Sequence, residues 1–194
     1  MEDNFLPIKN AICHFHPLKN DEWEVLSAGL IVKNFNKGDF LIRQSEIENN
    51  IYFINKGGTR SFFIRVRKDY TVDFQFEGDF VTGYYSLITR EPSSINIELL
   101  ERTQTIVLPL KVLTEVYINY PRGEKIGRLM AEFQYLKRLK KEMDLLSQTA
   151  EERYAALLEK SPKLIRSQSV KHLSSYLGIQ PESLSRIRKL YGRN

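Results

Sequence analysis

Between residues 30 and 110 the apolar side chains come in short runs set apart by turns. The runs read LIVKNF, DFLIRQ, IYFINK, RSFFIRV, TVDFQF, INIELL and TQTIVLPL. They are rich in Ile, Val, Phe and Tyr, the residues that suit a pleated, half-buried surface. The breakers between them include Asn36-Lys37-Gly38-Asp39, Lys56-Gly57-Gly58 and Glu77-Gly78-Asp79. Many short strands at near-regular spacing predict an antiparallel sandwich or barrel. Ahead of them, PLKNDEWEVLSAGL reads as a short helix, with Asn20 or Asp21 as N-cap and acids in its first turn.

Beyond Pro121 the period lengthens. From Lys125 to about Gln148 the pattern is helical, with no proline and no glycine after Gly127. Ile126, Phe133 and Lys140 fall seven apart, and so do Leu129, Leu136 and Met143, offset by three. That is an a/d seam over some three heptads, widened on one flank by Leu139 and Leu146 and interrupted by Lys140. It reads as a helix that pairs with a second copy of itself; the alternative is a helix packed on its own sheet. TAEERYAALLEKSP follows, capped at Thr149 and stopped at Pro162.

The sharpest local signal is SVKHLSSYLGIQPESLSRIRK. Val170, Leu173 and Leu177 stripe one helix, Gly178 ends it, Ile179 plugs the turn, and Pro181 opens the next helix. Leu184, Ile187 and Tyr191 stripe that second helix. Two short helices around a glycine turn are the helix-turn-helix plan. The opposite face carries Glu182, Ser183, Ser185, Arg186 and Lys189, with Arg193 just beyond. Arg can clasp guanine O6 and N7, Glu can accept from a cytosine amine, and Ser can reach bases or phosphates. Lys189, Arg193, Lys171 and Lys163 suit phosphates, which set register without reading sequence.

Charge follows this division. Residues 1–120 hold 13 basic and 16 acidic side chains, a net of −3; residues 121–194 hold 16 and 8, a net of +8. A basic end suits a polyanion, and double-stranded DNA is the expected partner. A helical tail that docks on a protein is the other binding reading. No apolar run approaches the ~20 residues of a membrane helix, so no membrane partner is expected, and a cytoplasmic location is. The single cysteine, Cys13, excludes an internal disulfide and any all-cysteine metal site. Its neighbours His14 and His16 match no standard ligand spacing, so no metal is expected. Nothing resembles a Ser-His-Asp set or a P-loop, so the chain does not read as an enzyme.

The stretch GDFVTGYYSLITREPSS, from Gly78 to Ser94, has the glycines and small hydroxyls of a phosphate-holding loop. The whole chain resembles the Crp–Fnr family of bacterial transcription regulators. FNKGDFLIRQSEIENNIYFINKGGTRSFF looks like that family's cyclic-nucleotide-binding-type β-roll, with Ser45 where the family usually has glycine. LGIQPESLSRIRK resembles its recognition helix, Glu182 and Arg186 matching a pair that reads bases in the family. A wing of strands normally follows there, and residues up to Asn194 do not include one. In members that bind cyclic AMP, a glutamate after a glycine takes the ribose and an arginine ten residues later takes the phosphate. Here Gly83 is followed by Tyr84, and Ser94 stands at the arginine's place.

The resemblance therefore implies an α+β chain: an N-terminal antiparallel, jelly-roll-like β-roll (1–119), a long dimerisation helix (120–148) and an all-α helix-turn-helix (149–194). It implies a homodimer on an inverted repeat, RNA polymerase as a partner, and no cofactor. An arginine lost from a phosphate site costs ~3 kcal/mol, so cyclic AMP is not the expected effector. Gly83, Tyr84, Tyr85, Arg90, Ser93 and Ser94 are the candidate effector pocket, with Arg90 a substitute cation if the loop folds back. Ordinary packing is the other account of the two tyrosines.

Overall fold

The computed structural model describes residues 4–191. They form two compact units. One runs to residue 63 and resumes over 73–133; the other combines 64–72 with the described residues from 134 onward.

The first unit is a two-sheet roll. One sheet has the order β1 (Ile31–Phe35), β8 (Thr103–Pro109), β3 (Asn50–Lys56), β6 (Phe80–Val81). The other has β2 (Phe40–Ile42), β7 (Asn96–Leu99), β4 (Gly58–Arg65), β5 (Lys68–Phe76). The β1–β8, β2–β7, β3–β6, β3–β8 and β4–β7 pairings are antiparallel, as the alternation of short runs and turns predicts. Ile42, Tyr52, Ile54, Val81, Ile97 and Val107 meet in one buried cluster drawn from both sheets. A second cluster lies under helices. Ile8 and Ile12 of α1 (Leu6–Cys13), Trp23 and Leu26 of α2 (Asn20–Ala28), and Val112 and Val116 of α4 (Leu110–Asn119) pack with Phe53, Ile106 and Leu108.

Three helices depart from the sequence pattern. Residues 6–13 and 110–119 are helical because Ile8/Ile12 and Val112/Val116, each four apart, bury one stripe. Their Val- and Ile-rich composition carries no helix signal of its own. The stretch from Gly78 to Ser94 is not all loop: it holds β6 and α3 (Tyr84–Thr89). For α2 the N-cap is Lys19, not Asn20 or Asp21; its backbone N–H donates to Glu22 Oε2 at 2.7 Å.

The long helix α5 runs from Pro121 to Ser147. Ile126 is a correction to the dimer seam. It is buried in the β-roll core with Val116 and Trp23, so the own-sheet alternative holds there. Further along, the apolar seam positions Phe133, Leu136, Leu139, Met143 and Leu146 are exposed. Leu129 is half-buried, and Phe133 meets Phe15 edge-on at 5.5 Å.

The second unit is held by Tyr154, Leu157, Leu164, Ile165, Leu173, Leu177, Leu184 and Ile187, all buried. They come from α6 (Ala150–Lys160), α7 (Pro162–Ser167), α8 (Val170–Leu177) and α9 (Pro181–Tyr191). Thr149 caps α6 as predicted, accepting from the Glu152 N–H while the Glu152 side chain accepts from the Thr149 N–H.

Candidate nucleic-acid interface and effector region

The turn between α8 and α9 is built as its sequence requires. Gly178 has φ 69°, a conformation that costs glycine little. The Ile179 N–H donates to Ser174 O at 3.0 Å and the Gly178 N–H to Ser175 O at 3.2 Å. These are the two hydrogen bonds of a Schellman stop. Ser169 caps the start of α8, accepting from the His172 N–H. Arg153, which the sequence pattern does not mark, donates through Nε and Nη2 to Leu177 O, the last carbonyl of α8, at 3.2 and 3.0 Å. Arg188 donates to Ile165 O at 2.8 Å and so ties α9 to α7.

With Leu184 and Ile187 buried, α9 turns Glu182, Ser185, Arg186 and Lys189 to solvent; Ser183 is half-buried. The Ser185 hydroxyl donates to Pro181 O, one turn back, at 3.0 Å. Tyr191 is a correction to the buried stripe: it is partly exposed and tilts against the Tyr154 ring at 5.3 Å. Arg193 lies outside the described residues.

Lys171 is not a simple solvent-facing cation. Its Nζ lies 2.6 Å from Asp69 Oδ1, and His172 Nε2 lies 3.7 Å from Asp69 Oδ2. Asp69 sits at the tip of the β4–β5 hairpin. There the Thr71 N–H also donates to Ser175 Oγ at 2.8 Å, and Lys141 donates to Val72 O while lying over the Tyr176 ring. The hairpin tip thus holds the first helix of the pair directly through Asp69 and Thr71, and Lys141 of α5 bridges Val72 to Tyr176.

In the β-roll, the candidate pocket residues separate into two groups. Gly83 and Ser93 are buried; Tyr84, Tyr85, Arg90 and Ser94 are exposed. The Tyr85 hydroxyl donates to Glu91 at 2.6 Å, which pushes its phenol pKa up. Arg90 does fold back. Its Nη1 donates to Glu48 O at 2.7 Å and its Nη2 to Asn49 Oδ1 at 2.6 Å. Ser93 closes the loop onto residues 45–46: its N–H donates to Glu46 O at 2.7 Å, and the Ser45 N–H donates to Ser93 O at 2.9 Å.

Glu48, which the sequence pattern passes over, is the unexpected member. It is 2% exposed. Its Oε1 accepts the N–H groups of Asn49 and Asn50 at 2.9 and 3.0 Å, and its Oε2 accepts the Gly83 N–H at 3.3 Å. Its own N–H donates to Ser86 Oγ at 3.0 Å. Burial pushes the Glu48 carboxyl pKa up, and the three backbone N–H groups pull against that rise. Tyr52 is pushed up to about 12, by burial first and then by the Glu48 charge.

Residues 32–120, the stretch from β1 through α4, match the cyclic nucleotide-binding domain family. No curated protein matches the chain. Among solved structures it is similar to the catabolite activator protein of Thermus thermophilus. That pair shares 19% identity and a TM-score of 0.57, covering 94% of this chain and 87% of that one. FixK2 of Bradyrhizobium japonicum shares 20% identity over 84% of this chain and 85% of its own, with a TM-score of 0.68. The c-di-GMP responsive global regulator CLP of Xanthomonas campestris shares 14% identity over 90% and 93%, also at 0.68. The β-roll is a domain of the cyclic nucleotide-binding class. Along most of its length the chain shares the fold of these structures, a β-roll followed by a long helix and a helical tail.

Among the described residues no helix is long and apolar enough to cross a membrane.

Proposed function

We propose that the chain is a homodimeric, DNA-binding transcription regulator of the Crp–Fnr type, without enzymatic activity. The observation that carries this is the pair α8–α9. A Schellman turn and a buried Leu184/Ile187 stripe leave Glu182 and Arg186, four residues apart, on the exposed face of the second helix. That is the arrangement a recognition helix needs in a major groove. Lys189 on the same face suits a phosphate. The exposed seam from Phe133 to Leu146 supports pairing of α5 with a second copy. Lys140 in that seam lies 3.5 Å from Asp144, one turn on. Two-fold pairing makes the operator an inverted repeat with half-sites about one helical turn apart. RNA polymerase is the protein partner that follows from this role.

The β-roll is the sensing part, and cyclic AMP does not fit it. Tyr84 and Ser94 are exposed and uncharged, and Arg90 directs Nη1 to Glu48 O and Nη2 to Asn49 Oδ1. A phosphate about 4 Å from the Glu48 carboxylate would meet a repulsion of about 4 kcal/mol at an effective dielectric of 20. Whatever the roll senses, it switches DNA binding only by preferring one arrangement of the two reading heads.

Selection of bound duplexes from a random pool tests the reading, followed by Arg186→Ala on the selected site. The variant loses ~1–3 kcal/mol and its discrimination at one base pair per half-site. Equal weakening on all sequences removes Arg186 from base reading; no enrichment and no salt-dependent binding overturns the function.

A further inference from the structure

Glu48 and the N–H groups around it form a filled anion cradle. The donors come from two distant parts of the chain, Asn49 and Asn50 at the start of β3 and Gly83 beyond β6. Converging backbone N–H groups are what a protein ordinarily offers to a bound anion. The carboxylate is packed as well as bonded: a Cβ placed on Gly83 would come within 3.6 Å of both Glu48 Cβ and Oε2, and 3.3 Å from Ser93 Oγ. A buried carboxylate is tolerated only where its oxygens are satisfied, and here the chain satisfies them with its own backbone. The segment it fastens, 83–86, opens the stretch that would hold a ligand's phosphate if this roll took a cyclic nucleotide.

We propose that Glu48 is the specificity-determining residue of the β-roll site. Its side chain is a resident anion that takes the amides a ligand's anionic group would take. The site therefore refuses phosphates and carboxylates and admits only ligands without negative charge. The inference rests on the reading of residues 83–94 as the effector region. It explains how the loop stays ordered around uncharged Tyr84 and Ser94: the anion that normally organises such amides is supplied in cis.

The test is chemical rescue without DNA. Full-length wild type and Glu48→Ala are melted in the presence of acetate, inorganic phosphate or acetamide at matched ionic strength. In the alanine variant the amides are exposed to a cavity. Acetate raises its melting midpoint saturably by about 2–4 °C, acetamide does not, and wild type responds to neither. Equal effects of acetate and acetamide on the variant reduce Glu48 to packing and overturn the proposal. Calorimetry of the wild type with cyclic AMP and with inorganic phosphate stands beside it and needs no variant: no heat is expected, and saturable binding of either anion overturns the proposal even if Glu48→Ala fails to fold. Because no arm contains DNA, a failed operator selection and a failed rescue are separate results.

Discussion

Ser45 holds a backbone conformation that favours glycine. Its φ is 75°, a left-handed geometry that costs a side-chain-bearing residue on the order of 1–2 kcal/mol. The two backbone bonds that join residues 45–46 to Ser93 keep it there. Ser45→Gly retains both bonds and removes the clash of the Cβ, while glycine's greater freedom in the unfolded chain returns part of the gain. The variant is therefore more stable by about 0.5–1 kcal/mol, measured by urea unfolding; a loss of stability would mean that the serine hydroxyl contributes what the backbone geometry does not explain. Ser45 was legible beforehand as a departure from a familiar turn. Glu48 was not. In SEIENN it is one of two acids, and nothing local marks it as buried, because the third of its amide partners is 35 residues away.

The elements divide in the same way. α6, α8 and α9 carry local signals, so the cap at Thr149, the glycine at 178 and the proline at 181 could be read without a structure. α4 and α3 could not, since their helicity is imposed by what they pack on. The β4–β5 hairpin was legible as two strands, yet nothing in RVRKDY announces that Asp69 reaches Lys171 and His172. That contact has a consequence for DNA. Lys171 was expected to meet a phosphate, and Asp69 competes for it. Asp69→Asn should release the lysine. The lysine is exposed while the Asp69 side chain is largely covered; a pair with its cation in solvent is worth about 1 kcal/mol, so affinity for random duplex rises about fivefold and the salt slope steepens by about one. Filter binding across a salt series measures both. An unchanged slope would mean that Lys171 never approaches the backbone.

At the scale of the whole molecule, the proposed function depends on a second copy. α5 contributes Ile126 to its own roll and leaves Leu136, Met143 and Leu146 exposed further along. Leu136→Arg places a charge in the middle of that seam. It should sediment as a monomer and lose its preference for inverted repeats, while random-duplex binding persists more weakly with its salt dependence. A dimer that survives this change would locate pairing elsewhere. The sequence by itself determined whatever depends on neighbours a few residues apart: the strand and helix periods, the caps, the Gly178 turn, the polar face of α9 and the basic end of the chain. Only the tertiary structure decided that the heptad pattern serves the β-roll core at Ile126, that the hairpin claims Lys171, and that a carboxylate fills its own amide cradle. Those outcomes join segments from 35 to more than 100 residues apart in the chain, and no local pattern encodes which distant partner a side chain will meet.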